Sequence, residues 1–359
     1  MFECINKNKI TLADVAKLAG VSKTAASKAL FGSNGGTIKV GVETVQRIKK
    51  AADELKYIPN NVARNLATNR SGVIGYILSD SIKDGFNNSY FNRYLSGVEQ
   101  CCRENGYGLY IAKSELSDIK NIVFPEKLKQ QSVDGIIATG KIPDEVANEL
   151  QKYSVPVIFL NRDFAYEKKF PTFCADAIDG LKKAVEYAIS HNHRTFWFCA
   201  RFDRYDSFFE KFKPFHKAIE KNNPGFRIQF KCFADDLLHD EDAFALRLIS
   251  EMKNTQAEEK PTFVFGDSRI ITTLLGKLAD IGVRCPQDIS AMSSSDLEIN
   301  RYFYPPLSAM DYDFEKIGFD STLMMIQYIE KRKFVPLVKY KNDYKARLIE
   351  RKSVRKLIL

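Results

Sequence analysis

The chain has 359 residues, 45% of them hydrophobic and 28% charged, which describes a small folded domain plus one or two larger ones and excludes a disordered polymer. The net charge of +9 is unevenly placed: residues 1–71 hold 12 Lys and Arg against 5 Asp and Glu, net +7, leaving +2 for everything after them. A basic excess confined to one fifth of a chain points to a polyanionic partner for that part.

The first elements are two short helices around a tight turn. Leu12, Val15, Ala16 and Ala19 recur at i, i+3, i+4, i+7 and form one apolar helix face, with Thr11 as N-cap. Gly20 supplies the left-handed backbone that ends this helix, and Val21 fills the corner. Ser22 caps a second helix with Ala26, Ala29 and Leu30 inside and Lys23, Thr24, Ser27 and Lys28 outside. Small inner residues let the two helices cross closely. The pattern is that of a helix-turn-helix, which lays its second helix in the major groove; the plain alternative is a helical hairpin with solvated lysines. A third helix carries Val45, Ile48, Ala52 and Leu55 on one face, after a breaker-rich loop at 31–37. Pro59 then stops the chain, and Asn60 can cap a further helix too short to persist alone. That segment is either a linker or a hinge helix that folds on DNA.

From Val73 the texture changes. Apolar strands are expected at 73–78, 109–112, 135–138, 155–160, 195–200, 263–265 and 289–292, with amphipathic helices between them, among them 91–105, 178–192, 270–281 and 314–330. Near-continuous apolar strands alternating with helices mean parallel sheets covered on both faces. There are too many elements for one sheet of ordinary size, so two doubly wound subdomains are expected, with a cleft at the carboxyl ends of their strands. The expected fold class is therefore a small all-α head followed by α/β. Its divisions are residues 1–58 for the head, 59–71 for hinge and linker, and 72–359 for the α/β part.

Other chemistry finds little support. His191 and His193 at i, i+2 point two ways and lack accompanying metal ligands. Gly35-Gly36 lacks the strand-to-helix setting of a phosphate loop. The acidic residues at 235–236 and 240–242 read as a solvated helix start. No hydrolase, zinc-protease or P-loop signature occurs, so no enzyme, cofactor or metal is expected. The apolar run 155–160 is strand-sized, well short of the roughly 20 residues of a membrane span. The stretch Met1–Lys7 has no export signal, and seven cysteines without CxxC spacing read as free thiols of a reducing cytoplasm.

Several motifs in order resemble the LacI/GalR family of bacterial transcription regulators. Asp14 to Ser22 follows its D-V-A-x-x-A-G-V-S pattern, and Tyr57, Pro59, Asn60, Ala63 and Leu66 follow its hinge pattern. Val133 to Ile137, Pro156 to Ile158, Asp176 with Gly180, His193-Arg194, Gly282 to Pro286, Tyr304 to Ser308 and Arg347 to Ser353 resemble later family landmarks. The chain departs from the pattern at Ala25-Ala26, Gly41, Ala177, Lys211, Pro214 and Ser295.

The resemblance implies a periplasmic-binding-protein-like sensing part whose two subdomains interleave. It also implies a homodimeric repressor on a palindromic operator in double-stranded DNA, with affinity set by a small sugar-like effector. The implied DNA-contacting residues are Thr11, Ser22, Lys23, Thr24, Ser27, Lys28, Asn60, Ala63 and Leu66, with Leu66 as a wedge between base steps. The candidate effector residues are Asp80, Phe91, Asp176, Lys211, Asp267 and Asp296. Two alternatives remain: a regulator that has lost its ligand, and an exported solute-binding protein of the same fold.

Overall fold

The computed structural model describes residues 10–31, 40–57, 70–82, 84–130, 132–153, 155–160, 171–201, 206–233, 240–331 and 344–358. The chain divides into two compact units, Met1–Gly72 and Val73–Leu359.

The first unit is helical: α1 (Leu12–Leu18), α2 (Lys23–Phe31) and α3 (Val42–Glu54). Val15, Ala16, Ala19, Ala26, Ile48, Ala51 and Ala52 are buried together, with Leu12, Val21, Ala29, Leu30, Leu55 and Tyr57 packed around them. Five of the seven buried side chains are alanines. A core this thin forms only because methyl groups let the helix backbones approach closely.

The second unit holds two sheets. The first is β1 (Val73–Ser79), β2 (Gly108–Ser114), β3 (Gly135–Thr139), β4 (Val157–Leu160) and β5 (Thr172–Phe173), parallel, in the order β2-β1-β3-β4-β5. The second comprises β6 (Thr195–Arg201), β7 (Arg227–Phe233), β8 (Phe263–Gly266), β9 (Ser290–Ser293), β10 (Ser308–Asp311) and β11 (Arg347–Ile349). Its order is β11-β10-β9-β8-β6-β7, parallel except for the antiparallel edge strand β11. The longer helices are α4 (Ser89–Glu104), α5 (Asp144–Gln151), α6 (Ala177–Ser190), α7 (Asp206–Asn222), α8 (Glu241–Asn254), α9 (Ser268–Asp280) and α10 (Phe314–Lys331).

The seven expected strands all occur. The four additional strands had no apolar signal. β5 is two residues long, β7 is an edge strand of alternating texture (RIQFKCF), and β11 is a short edge. β10 (SAMD) is wholly buried yet half polar. Its Ser308 is satisfied by the C-terminal tail: Ser308 N–H donates to Ser353 Oγ (2.8 Å), and Arg351 N–H donates to Ser308 Oγ (2.9 Å). A buried hydroxyl with partners at those distances tolerates a core position.

The chain passes between the sheets more than once. After β5 it enters α6 and the second sheet; after β10 it returns as α10 to pack on α4, β3 and β4; it then ends on the second sheet as β11. The return depends on glycine. A Cβ on Gly97 of α4 would lie 1.8 Å from the carbonyl oxygen of Glu315, and one on Gly318 of α10 would lie 2.1 Å from that of Tyr94. Backbone here meets backbone. The tail locks the second sheet at its other end. Ser353 Oγ donates to Ala291 O (2.6 Å), Ala291 N–H to Ser353 O (2.9 Å), and Leu357 N–H to His191 O (2.9 Å).

Cys101, Cys102, Cys174 and Cys199 are buried free thiols, and burial pushes Cys101 and Cys102 up to about 12. No helix among the described residues is long and apolar enough to cross a membrane. The two histidines of the i, i+2 pair have separate roles. His191 packs on Tyr187 with the rings tilted and their centroids 4.1 Å apart, and His193 Nε2 lies 3.0 Å from Arg355 O under the tail.

Gly97→Ala should destabilise the second unit by about 2 kcal/mol or more, because the added methyl meets a carbonyl oxygen that cannot rotate away. Gly276→Ala, in α9 with open space around it, should instead stabilise by up to about 1 kcal/mol. Urea titrations of the two variants should move in opposite directions. His193 gives a pH prediction. Burial lowers its pKa from 6.5 to about 4, so the unfolded chain binds the proton first as pH falls. The stability it contributes is complete above about pH 6.5 and is lost between there and pH 4. The loss amounts to about 3 kcal/mol at 1.36 kcal/mol per unit. Urea midpoints across that range should fall more steeply for the native chain than for His193→Gln.

Candidate nucleic-acid interface and effector cleft

The helical head is built from its caps upward. Thr11 N–H and Oγ1 both donate to Asp14 Oδ2, at 2.8 and 2.7 Å. The Thr11 hydroxyl and N–H hold the Asp14 carboxyl below its ordinary value. At the other end of α1, Gly20 has φ +62°. Val21 N–H reaches Ala16 O (3.0 Å) and Gly20 N–H reaches Lys17 O (3.2 Å), the paired bonds that close a helix with a left-handed residue. Ser22 Oγ accepts from Ala25 N–H (3.1 Å) and starts α2.

The register of α2 follows from Ala26, fully buried against the other two helices. Lys23 and Thr24 are therefore exposed, and Ser27 and Lys28 half-buried. Thr11 and Ser22, both exposed, stand at the starts of α1 and α2. Gly41 is the N-cap of α3 and provides no side-chain cap. Asn60, Ala63 and Leu66, the hinge candidates, lie outside the described residues.

In the second unit, Asp80 follows β1, Asp267 follows β8 and Asp296 follows β9, all at carboxyl ends of parallel strands. Asp176 lies where the chain crosses from β5 into α6. Two contacts bring the strand ends of one sheet toward those of the other. Arg269, in the first turn of α9, pairs with Asp84 from the loop after β1. Arg93 of α4 donates to the Asp296 carbonyl (3.0 Å).

Each described carboxylate already has a local role. Asp80 accepts from Leu116 N–H (2.8 Å), Ser117 N–H (2.9 Å) and Ser117 Oγ (2.5 Å), tying β1 to the segment after β2. Burial alone would raise its pKa, but these donors hold it below the ordinary value. Asp176 caps α6 through Asp179 N–H (3.0 Å), and Asp267 caps α9 through Arg269 N–H (2.9 Å). Asp296, buried, forms a two-point ion pair with Arg351 at 2.7 and 2.9 Å, with Arg301 3.7 Å away. Phe91 sits in the main core cluster, its ring edge-on to Tyr90 at 5.1 Å. Lys211 lies in α7, its side chain outside the description. The structure thus lines Asp80, Asp267 and Asp296 along the facing strand ends. It sets Asp176 at the crossing and Phe91 under the surface.

The sequence reading passed over an ionic cluster at that crossing. Arg93 pairs with Glu315 (2.6 Å) and Asp311 (3.1 Å), and Arg347 pairs with Asp311 (2.7 Å). Burial would raise the Asp311 carboxyl, but the hydrogen bond from Arg347 and the charge of Arg93 hold it down. No local pattern marks these residues; they lie up to 254 positions apart and meet only in the fold. The acidic run at 240–242 does open a helix, with Asp240 capping α8 through Ala243 N–H (2.9 Å). It is not simply solvated: Glu241 faces Arg269 at 3.5 Å and Asp242 pairs with Lys277 at 2.6 Å, because α9 packs alongside.

Comparison with known proteins agrees with this geometry. The model for bacterial regulatory proteins of the lacI family matches residues 11–60. That for periplasmic binding proteins and the sugar binding domain of the LacI family matches 71–204, and that for a periplasmic binding protein-like domain matches 185–354. The chain is 26% identical to the HTH-type transcriptional repressor PurR of Vibrio atlanticus, over 97% of this chain and 99% of that protein. It is 28% identical to the PurR of Pectobacterium atrosepticum, over 96% of each. Among solved structures it resembles the Lac repressor dimer bound to operator and the anti-inducer ONPF, with TM-score 0.72, 21% identity, and coverage of 97% of this chain and 100% of that one. It also resembles the transcriptional regulator CelR–cellobiose complex, with TM-score 0.62, 19% identity, and coverage of 96% and 99%. A lacI-type helix-turn-helix head, followed by periplasmic-binding-protein-like domains that share the chain between two parallel sheets, places this protein in the LacI family of bacterial regulatory proteins.

Proposed function

We propose that the protein is a cytoplasmic, homodimeric transcriptional repressor whose affinity for a palindromic operator is set by a small, sugar-like molecule bound between the two subdomains. The observation that carries the DNA reading is α2 itself. Ala26 seats it against α1 and α3, so Lys23 and Thr24 stand exposed at its start in a head with a net charge of +7. In this reading Lys23 donates to guanine O6 and N7, Thr24 offers a methyl to thymine, and Lys28, Ser27, Thr11 and Ser22 meet phosphates. Asn60, Ala63 and Leu66 form the hinge contact, with Leu66 inserted between base steps. Two heads on one palindrome require a symmetric dimer.

The effector reading is supported by the strand-end placement of Asp80, Asp267 and Asp296, with Asp176 at the crossing, Lys211 on α7 and Phe91 beneath. A ligand that prefers one angle between the subdomains would shift operator affinity by its differential affinity for the two states. A second reading, a regulator without a ligand, draws on the same residues. Asp80 accepts from three protein donors and Asp296 is ion-paired with Arg351, which leaves both less to offer a ligand.

Lys23→Ala should cost about 1–3 kcal/mol on the preferred operator and relax preference at one base pair in a binding-selection assay. Lys28→Ala should weaken all sequences and flatten the salt dependence. Unchanged base preference in Lys23→Ala would contradict the reading of α2. For the effector, a thermal-shift screen of sugars and nucleosides followed by operator titration with each hit is decisive. The proposal expects at least one hit that changes operator affinity, and the ligand-free reading expects none.

A further inference from the structure

Among the described residues, the ion pairs of the second unit that join its two subdomains fall into two groups of different character. The first surrounds Arg93, which reaches from α4 to Asp311 at the end of β10 and to the Asp296 carbonyl after β9. Arg93 is also pinned by Glu315, its guanidinium lies over the Phe314 ring at 5.1 Å, and Asp311 is buried and shared with Arg347. This group sits beside residues 311–315, where the chain itself crosses between the subdomains. Covalent connection and burial make it a pivot, which can turn without parting.

The second group is Asp84, Arg269 and Glu241. Asp84 belongs to the loop between β1 and α4 in the first subdomain; Arg269 and Glu241 lie in the first turns of α9 and α8 in the second. No chain crossing among the described residues adjoins it. The Asp84 and Arg269 side chains keep 43% and 41% of their surface in water. Glu241 approaches Arg269 Nε from within the same subdomain, while Arg269 Nη1 extends to Asp84. Arg269 is therefore aimed by a neighbour that moves with it, and its far end grips a group that does not. Asp267, two positions earlier, adds negative charge that raises the guanidinium pKa against the burial that would lower it.

We propose that Asp84–Arg269 is an electrostatic latch across the lips of the inter-subdomain cleft. In this device Glu241 orients Arg269, and the latch biases the unliganded protein toward the closed arrangement. An exposed pair of this kind biases a two-state equilibrium modestly, about threefold to fivefold, and salt screens it. A bias of that size suits a switch that a ligand must be able to override. The inference rests on the two-subdomain reading of residues 73–359 and not on any effector, so a ligand-free measurement tests it separately from the proposed function.

The test uses the full chain with a donor and an acceptor dye on keto amino acids introduced at the exposed positions Lys120 and Glu258, one on each subdomain. Distance distributions are compared for the native chain, Asp84→Asn, Arg269→Met and the double variant, at about 20 mM and about 500 mM salt, with melting temperatures recorded alongside. The latch predicts a three- to fivefold rise in the open-to-closed ratio for each single variant at low salt. It predicts no further rise in the double variant, and a native chain at high salt that matches the variants. Distributions that are the same in all four proteins at low salt, or single effects that add in the double variant, would overturn it. A variant with an unchanged melting temperature and a shifted distribution separates the latch from a general loss of packing.

Discussion

The approach of α10 to α4 is the contact on which the second unit depends. Gly97 and Gly318 bring two helix backbones to a separation at which any side chain would strike a carbonyl oxygen, and by that approach the chain, having built most of the second sheet, is carried back onto the first. Met325, lying over Gly135 of β3, continues the same interface into the sheet. Because α10 belongs to the first subdomain while β10 before it and β11 after it belong to the second, the subdomains cannot separate as independent beads. In the proposed reading, in which a bound molecule changes the angle between the subdomains, this restraint is required, since free separation would transmit nothing.

Charge is distributed in keeping with that restraint. At the crossing, Arg93, Asp311, Glu315 and Arg347 form a partly buried cluster in which the two central charges, Arg93 and Asp311, each have two charged partners, an arrangement costly to break. At the lips, Asp84 and Arg269 form an exposed contact that water can replace. On the far side of the second sheet the C-terminal tail supplies the hydroxyl and backbone partners that let serine-bearing strands β9 and β10 lie in the interior. His193 is held neutral beneath it. The second sheet thus depends on the last residues of the chain for part of its interior hydrogen bonding.

The head follows a different economy. Its core is alanine-rich and small, and its order comes from caps: Thr11 with Asp14, the left-handed Gly20, and Ser22 over Ala25. Such a domain contributes little apolar burial of its own, yet fixes the orientation of one short helix well enough to present Lys23 and Thr24 outward.

Much of this was legible in the sequence, and for local reasons. The i, i+3, i+4 spacing of α1, the Gly20 turn and the cap residues are decided within a few positions, so the helix-turn-helix could be read directly. Apolar runs such as Gly135–Thr139 and Val157–Leu160 announced parallel strands because both their faces are buried. What lacked a local signal was what the fold alone pairs. β7 and β11, as edges, need no continuous apolar run, and β10 hides its serine through a tail 45 residues away. The candidate pocket carboxylates were visible as residue types in suggestive places. Asp176 and Asp267 cap helices through donors two or three residues on, a role that local sequence allows, but only the tertiary structure showed that Asp80 ties β1 to the segment after β2 and that Asp296 is claimed by Arg351. A carboxylate's identity is written in the chain. Whether the oxygens of Asp80 and Asp296 are engaged depends on donors 36 and 55 positions away, and that is decided only when the sheets and helices close around them.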